Sequence, residues 1–434
     1  MTSTTAVPPE LVEKASTVGD AESVLADEQV REHIVGTLAR MDLDGRSVAL
    51  VVPDGTRSVS MPLLLRSVHE ALRGRAREVT VLVALGTHAA MSEEALAAHL
   101  GYRPGLLEDT YPGWRVLNHE WWKPETFADL GTIPAEEVAR YSGGRLTDRP
   151  MHVIVNRAVV EHDVSLVVGP VLPHEVVGMS GGNKYFFPGL SGHDVIDMSH
   201  WVGALISSFD IIGTRGITPV RALINAAVDR IPGEKLCVAV VTEAGTDRLH
   251  SVSVGTTESA WEAASEIAAA SHITYLDEPA RTVVSVLPTM YDDIWTGAKG
   301  FYKLEPVVAD GGEVIIYAPH ITQVSAMHPG LMKIGYHNRD YFVKQWDRFK
   351  DHPWGELAHS THLRGQGTYD AETGEERNRV TVTLATSIPR DQVEAVNLRW
   401  MDPADVDLDA LEADPEVMVV HNAGEVLFRL REGS

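Results

Sequence analysis

Four short apolar runs, each ending in a polar turn, constrain the fold more than any other feature of the sequence. Residues 47–52 (SVALVV), 78–85 (EVTVLVAL), 164–168 (VSLVV) and 235–242 (KLCVAVVT) are continuous rather than alternating. That is the pattern of strands covered on both faces, as in a parallel sheet. Helical spacing occupies 30–40, 61–73, 197–208 and 220–230, and parallel strands require crossovers of that kind. Ser92, followed by Glu93 and Glu94, reads as the cap of another helix. The predicted class is therefore α/β, with a doubly wound or similar sheet. Residues 151–155 read as a further strand. Residues 101–150, with Tyr111, Trp114, Trp121 and Trp122 among prolines and glycines, read as a layer packed against the sheet.

At 434 residues the chain is long enough for two or three domains. The β-α alternation restarts after Leu276-Asp-Glu-Pro-Ala280, with strands expected at 282–287, 313–318 and 380–385 and helices at 341–350 and 390–395. This predicts an N-terminal α/β domain over 1–275 and a smaller C-terminal α/β domain over 276–401. The acidic tail 402–434, with a strand-like patch at 417–420, is expected to return to the first domain.

The balance of 37 basic against 61 acidic residues, net −24, argues against a nucleic-acid or anionic-membrane partner. The N-terminus shows neither the basic nor the apolar region of a secretory signal, and no apolar run approaches the roughly 20 residues of a membrane helix. A cytoplasmic protein is expected. The single cysteine, Cys237, sits inside an apolar run and is read as a buried strand residue.

In open α/β sheets, ligands bind beyond the carboxyl ends of the strands. The first strand runs into Pro53-Asp54-Gly55-Thr56-Arg57, the second into Gly86-Thr87-His88, and 164–168 into Pro170 to His174. Asp54, Arg57, His88 and His174 could thus reach one ligand, and two imidazoles flanking a guanidinium suit proton transfer on a carboxylate-bearing substrate. Next comes Ser180-Gly181-Gly182-Asn183-Lys184, whose glycines permit close backbone approach. It reads as either a phosphate cradle or the setting for a reactive amine. It is not a nucleotide-binding loop of the G-x-x-x-x-G-K-[ST] type, because Tyr185 follows Lys184. His174-Glu175 lacks a second histidine at the helical i+4 position, which excludes the zincin pattern. His200, on a predicted helix, is a metal ligand, a base or a helix-face residue; His193 is a cap or turn residue. One histidine cannot by itself make a zinc site.

In order and spacing these pieces resemble the nickel-pincer-nucleotide enzymes of the lactate racemase family: Asp54-Gly-Thr-Arg57, Gly86-Thr-His88, His174, Gly181-Gly-Asn-Lys184, Phe187-Pro-Gly189 and His200. The resemblance implies two α/β domains with the active site in the cleft between them. It also implies a nickel pyridinium-3,5-bisthiocarboxylic acid mononucleotide, made by separate cofactor-biosynthesis enzymes and attached covalently through Lys184. His200 would be the protein's ligand to nickel, the pincer supplying the others. His88 and His174 would be the paired acid and base, and Arg57 and Lys299 would hold the substrate carboxylate. Asp54, Thr56, Gly181 and Gly182 would contact the cofactor or orient the site. The implied reaction is racemisation or epimerisation at C2 of a 2-hydroxy acid by proton-coupled hydride transfer.

Two departures bear on the substrate. Lactate racemases tend to carry a glutamine shortly before the second-domain lysine, whereas this chain reads Trp295-Thr296-Gly-Ala-Lys299, and Lys184 is followed by Tyr185-Phe-Phe-Pro. The expected substrate is a 2-hydroxy acid larger than or different from lactate. His359 and His362 contact substrate or cofactor, or else pack a loop. The competing readings are a net oxidoreductase using the same cofactor and a non-catalytic hydroxy-acid-binding protein.

Overall fold

The apolar runs become the inner strands of a seven-stranded sheet. Its strands are β1 (Ser16–Gly19), β2 (Ser47–Pro53), β3 (Glu78–Ala84), β4 (Trp114–Asn118), β5 (Val164–Pro170), β6 (Glu234–Thr242) and β7 (Leu249–Thr256). Their order is β1-β7-β6-β5-β2-β3-β4. Strands β2 to β6 pair parallel, and β7 runs antiparallel to both β6 and β1. β2 and β5 are buried along their whole length, as continuous apolar runs require. The helices Asp27–Leu38 and Met61–Leu72 bring Ile34, Leu38, Leu64 and Val68 into the same core as Val48, Leu50 and Leu166. Each such side chain contributes roughly 1.5–3 kcal/mol by burial. From β2 the chain steps through β3 to β4 in one direction, and from β5 to β6 in the other. The switch of direction between β2 and β5 opens a crevice at their carboxyl ends.

The computed structural model describes residues 6–431, and the chain divides into two units. The first comprises the chain up to Leu172 with Met179–Ile196 and Arg215–Ser271; the second comprises Pro173–Gly178, Asp197–Thr214 and the chain from His272 onward. The second unit contains an all-parallel sheet of β8 (Ala280–Val286), β9 (Val308–Ala318), β10 (Thr381–Thr386), β11 (Arg399–Met401) and β12 (Val417–Val420), ordered β11-β10-β9-β8-β12.

Several expectations are corrected. The tail does not return to the first unit: β12 pairs with β8, and Leu427–Leu430 pairs with Ile273–Leu276, which also belongs to the second unit. Residues 101–150 are not only a covering layer, because β4 extends the main sheet beside β3. Met151–Asn156 is a strand, but it pairs antiparallel with Phe127–Ile133 outside that sheet. The second unit also takes two short segments from within the first 275 residues, so one boundary near 276 is too simple. Ser92 caps its helix as expected, its side chain accepting from the Ala95 N–H. Cys237 is a buried strand residue, its thiol pushed up by burial. No helix among the described residues is long and apolar enough to cross a membrane.

Candidate active site

In the first unit, the turn after β2 is tied by its own side chains. Asp54 Oδ1 accepts from the Thr56 N–H (3.1 Å) and hydroxyl (2.6 Å), and the Arg57 guanidinium donates to the Thr56 carbonyl (3.0 Å). Asp54 Oδ2 lies 2.5 Å from His88 Nδ1. Burial raises the Asp54 carboxyl, but His88, the Thr56 hydroxyl and Arg57 together outweigh it and hold the group well below the usual carboxylate range. An ionised carboxylate only accepts, so His88 Nδ1 carries the proton of this bond. The Trp121 indole N–H, donating to the His88 carbonyl (3.0 Å), fixes the backbone at the same point.

The lysine loop follows β5. Leu172 and Ser180 close it: the Ser180 N–H donates to the Leu172 carbonyl (2.8 Å), and the Leu172 N–H donates to Ser180 Oγ (2.9 Å). Gly181 and Gly182 have φ of +81° and +55°. A Cβ on Gly182 would lie 2.8 Å from the Thr257 carbonyl oxygen, so both the backbone conformation and the space demand glycine. Lys184 follows in the short 3-10 turn Gly182–Tyr185. The hydroxyl of Tyr185 packs on Gly169, where a Cβ would come within 2.1 Å. Gly189 accepts from the Gly86 N–H (2.9 Å). The segment containing Lys184 is therefore anchored beside the ends of β5 and β3, in the same unit as Asp54, Arg57 and His88.

Two helices grip this loop: α2 (Pro219–Val228) and α3 (Thr257–His272), which follow α1 (His193–Ile206). Arg221, 1% exposed, donates to the carbonyls of Met179 (2.6 Å) and Gly181 (3.3 Å), and its guanidinium lies 3.8 Å from the Trp261 ring centroid. The Trp261 indole donates to the Ser180 carbonyl (2.9 Å). The Asn183 amide donates to Asn225 (3.1 Å) and Glu258 (2.7 Å). Burial pushes Arg221 down to about 9, opposed by Glu258, so it remains cationic at neutral pH. None of these four partners was singled out from sequence. Arg221 did leave a signal, because it shares the helix face of buried Ile224 and Val228, where an arginine is out of place.

The remaining predicted residues belong to the second unit. His174 is buried, and its Nδ1 lies 3.1 Å from Val176 N and 3.3 Å from Glu175 Oε2. His200 lies on α1, which starts at His193 itself; Asp197, one turn earlier than His200, accepts from the Gly355 N–H (2.8 Å) at the start of α4 (Trp354–Arg364). His359 and His362 are buried residues of α4. His359 Nε2 donates to the Trp295 carbonyl (3.1 Å), and its ring stacks on the Trp295 indole at 4.2 Å; His328 also stacks there, at 3.6 Å. Burial pushes both His359 and His362 down to about 3, with His200 adding to the effect on His362. Lys299 is buried, with Nζ 5.0 Å from the Tyr291 ring centroid. Thr296 turns its hydroxyl onto Asp293 (3.0 Å).

The model of the lactate racemase N-terminal domain matches residues 25–209. The lactate racemase of Thermoanaerobacterium thermosaccharolyticum is 26% identical over 303 residues, which are 66% of this chain and 63% of that enzyme's length. Over residues 25–209 the chain is thus similar to the lactate racemase family. Among solved structures, a protein from Thermotoga maritima superposes on this chain with a TM-score of 0.87 at 31% identity, covering 95% of this chain and 100% of that one. The lactate racemase apoprotein of T. thermosaccharolyticum gives 0.69 at 18% identity, covering 98% and 96%, which supports the α/β fold.

For the nickel-pincer nucleotide that the resemblance implies, the residues present are a fit. Among the described residues, no group of three or more His, Cys, Asp or Glu side chains could hold a metal. A nickel ion at His200 would therefore need donors brought by the cofactor. Gly181 and Gly182 pack against Val171, Thr257 and Trp261, which fixes the backbone that presents Lys184.

Proposed function

We propose that this protein is an isomerase that inverts C2 of a 2-hydroxy acid, with Lys184 carrying the nickel-pincer nucleotide, supplied by cofactor-biosynthesis enzymes, and His200 ligating its nickel. When bound, that cofactor supplies the hydride-acceptor chemistry that cleavage of the C2–H bond requires and that side chains lack. Arg57 and Lys299 hold the substrate carboxylate by charge, which orients C2. Asp54 and Thr56 keep that side of the site in register.

The observation that carries this reading is that each of the two histidines is held at Nδ1, which leaves Nε2 of both rings for proton transfer. Asp54 holds His88 through Nδ1, and Val176 N and Glu175 lie against Nδ1 of His174. One ring can then take the C2 hydroxyl proton while the other returns a proton as the product hydroxyl forms. Exchanging the roles serves the opposite stereoisomer, as a racemase requires.

The test is to incubate cofactor-loaded protein with one stereoisomer of a 2-hydroxy acid and no redox partner. Accumulation of the C2-inverted acid is expected. Net 2-keto acid formed only with an added acceptor would make the protein an oxidoreductase, and binding without conversion would make it a binding protein.

A further inference from the structure

The second unit holds a cavity of ≈ 260 Å³ that bears on the substrate. Ala204 lies on its wall, one turn beyond His200 and on the same face of α1. From the other side it is walled by Thr361 and His362 of α4 and by Gly365 and Gln366 just beyond that helix. That wall is held rigidly. Gly365 has φ +75°, a Cβ there would lie 2.5 Å from Glu305 Oε1, and the same oxygen accepts from the Gln366 N–H (2.8 Å).

Polar and apolar atoms share the lining about equally. Besides Ala204 and glycines it consists of side chains bearing hydroxyl, amide, imidazole, carboxylate and guanidinium groups: Ser207, Ser208, Thr361, Gln366, His362 and the pair Asp210 and Arg339. His362 is 4% exposed, and its Nε2 finds no hydrogen-bond partner among the described residues. Leaving such a group unsatisfied costs about 1–3 kcal/mol. The Thr361 hydroxyl donates to the Ala358 carbonyl (2.8 Å) and keeps lone pairs for a donor. An alkyl or aryl group in this space would leave the His362 Nε2 without a partner. A second carboxylate is also disfavoured. The Arg339 guanidinium already donates to the Leu205 carbonyl (3.1 Å) and faces Asp340 (3.7 Å), and Asp210 brings another negative charge. The volume suits several hydroxyl-bearing carbons, a water-sized group occupying ~30 Å³.

We infer that this cavity receives the substrate's side chain and that the substrate is a polyhydroxylated 2-hydroxy acid of the aldonic type, whose hydroxyls pair with Ser207, Ser208, Thr361, His362 and Gln366. The inference rests on the reading of the site as a 2-hydroxy-acid isomerase. Inversion at C2 alone then gives a diastereomer, which makes the reaction an epimerisation.

Binding and turnover test it separately. Calorimetric titration of the cofactor-free protein with a six-carbon aldonate should give a Kd at least tenfold below that for lactate, malate or 2-hydroxy-3-phenylpropanoate. His362→Phe and, at the more exposed wall position, Gln366→Leu should each weaken aldonate binding by tenfold or more. In the loaded enzyme, kcat/KM should favour the aldonate by the same order, with its C2 epimer as product. Equal or tighter binding of the alkyl, aryl or dicarboxylic acids, or aldonate binding unaltered in both variants, would overturn the assignment. If the loaded enzyme inverts lactate but no aldonate, the cavity assignment falls and the isomerase stands. If aldonate binds through His362 but nothing is inverted, the isomerase falls and the cavity assignment stands.

Discussion

The two units hold their candidate residues in different ways. In the first, polar groups are tied to one another: Asp54 by His88 and Thr56, Arg221 by two loop carbonyls and an indole face, Asn183 by Asn225 and Glu258, with only Arg221 Nε and Asn183 Oδ1 left over among these groups. In the second, imidazoles are buried against aromatic rings, with Nδ1 of His359 and Nε2 of His362 left over. A network of that first kind fixes the backbone before any ligand arrives. Leftover buried donors and acceptors favour a ligand that can complete them. The first unit is thus equipped for positioning chemistry and the second for selecting a partner.

The sharpest way to break this contrast is Asp54→Asn. The amide can offer a donor to His88 and favour the wrong tautomer, so kcat/KM should fall by about a thousandfold, ~4 kcal/mol in barrier, while the fold survives. Nitrogen-15 shifts of the His88 ring should report the proton moving to Nε2. Full turnover with an unchanged tautomer would show that the first unit's network is not positioning the base.

A smaller effect is expected from Glu305 of the second unit. Burial pushes its carboxyl up to about 7, against the pull of the Gln366 N–H and Arg379. Between an unfolded value near 4.5 and 7, the folded chain holds a proton that the unfolded chain has released. Stability therefore falls as pH rises through that window and stays lower above it. Glu305→Gln should flatten this dependence and stabilise the protein at pH 8 by on the order of 2–3 kcal/mol, read from denaturant midpoints at pH 5 and 8. Parallel pH profiles for the two proteins would contradict the assignment.

The smallest change sharpens the comparison from the other side. Trp261→Phe keeps a ring under Arg221 but removes the N–H that bonds the Ser180 carbonyl, at a cost of about 1 kcal/mol. Hydrogen exchange should quicken around residues 179–184 and leave β2 and β3 unaltered. Unchanged exchange in the loop would mean that this contact does not hold it.

What was legible in the sequence follows the range of the interactions. Apolar runs declare parallel strands, and the polar residues that end them, Asp54 to Arg57 and Gly86 to His88, are contiguous with the strands that position them. The lysine loop is likewise written in consecutive residues. Its support is not: Arg221, Asn225, Glu258 and Trp261 reach it across 40 or more residues. The tail was assigned to the wrong unit for the same reason. Val417–Val420 and Leu427–Leu430 have ordinary strand patterns, and only their pairing with Ala280–Val286 and Ile273–Leu276 decides where they belong. His359 and His362 were assigned to no helix because the sequence around them, HSTH, is polar, yet the helix that carries them is buried.

The most direct test of the account is the mass of Lys184. The protein should be produced together with a pincer-cofactor pathway, measured intact, and mapped by peptides around this residue, with His200→Ala and Lys184→Ala alongside. The account predicts a nucleotide adduct on Lys184, lost in Lys184→Ala, with nickel content reduced in His200→Ala. An unmodified Lys184, under conditions in which a lactate racemase is modified in parallel, would contradict it.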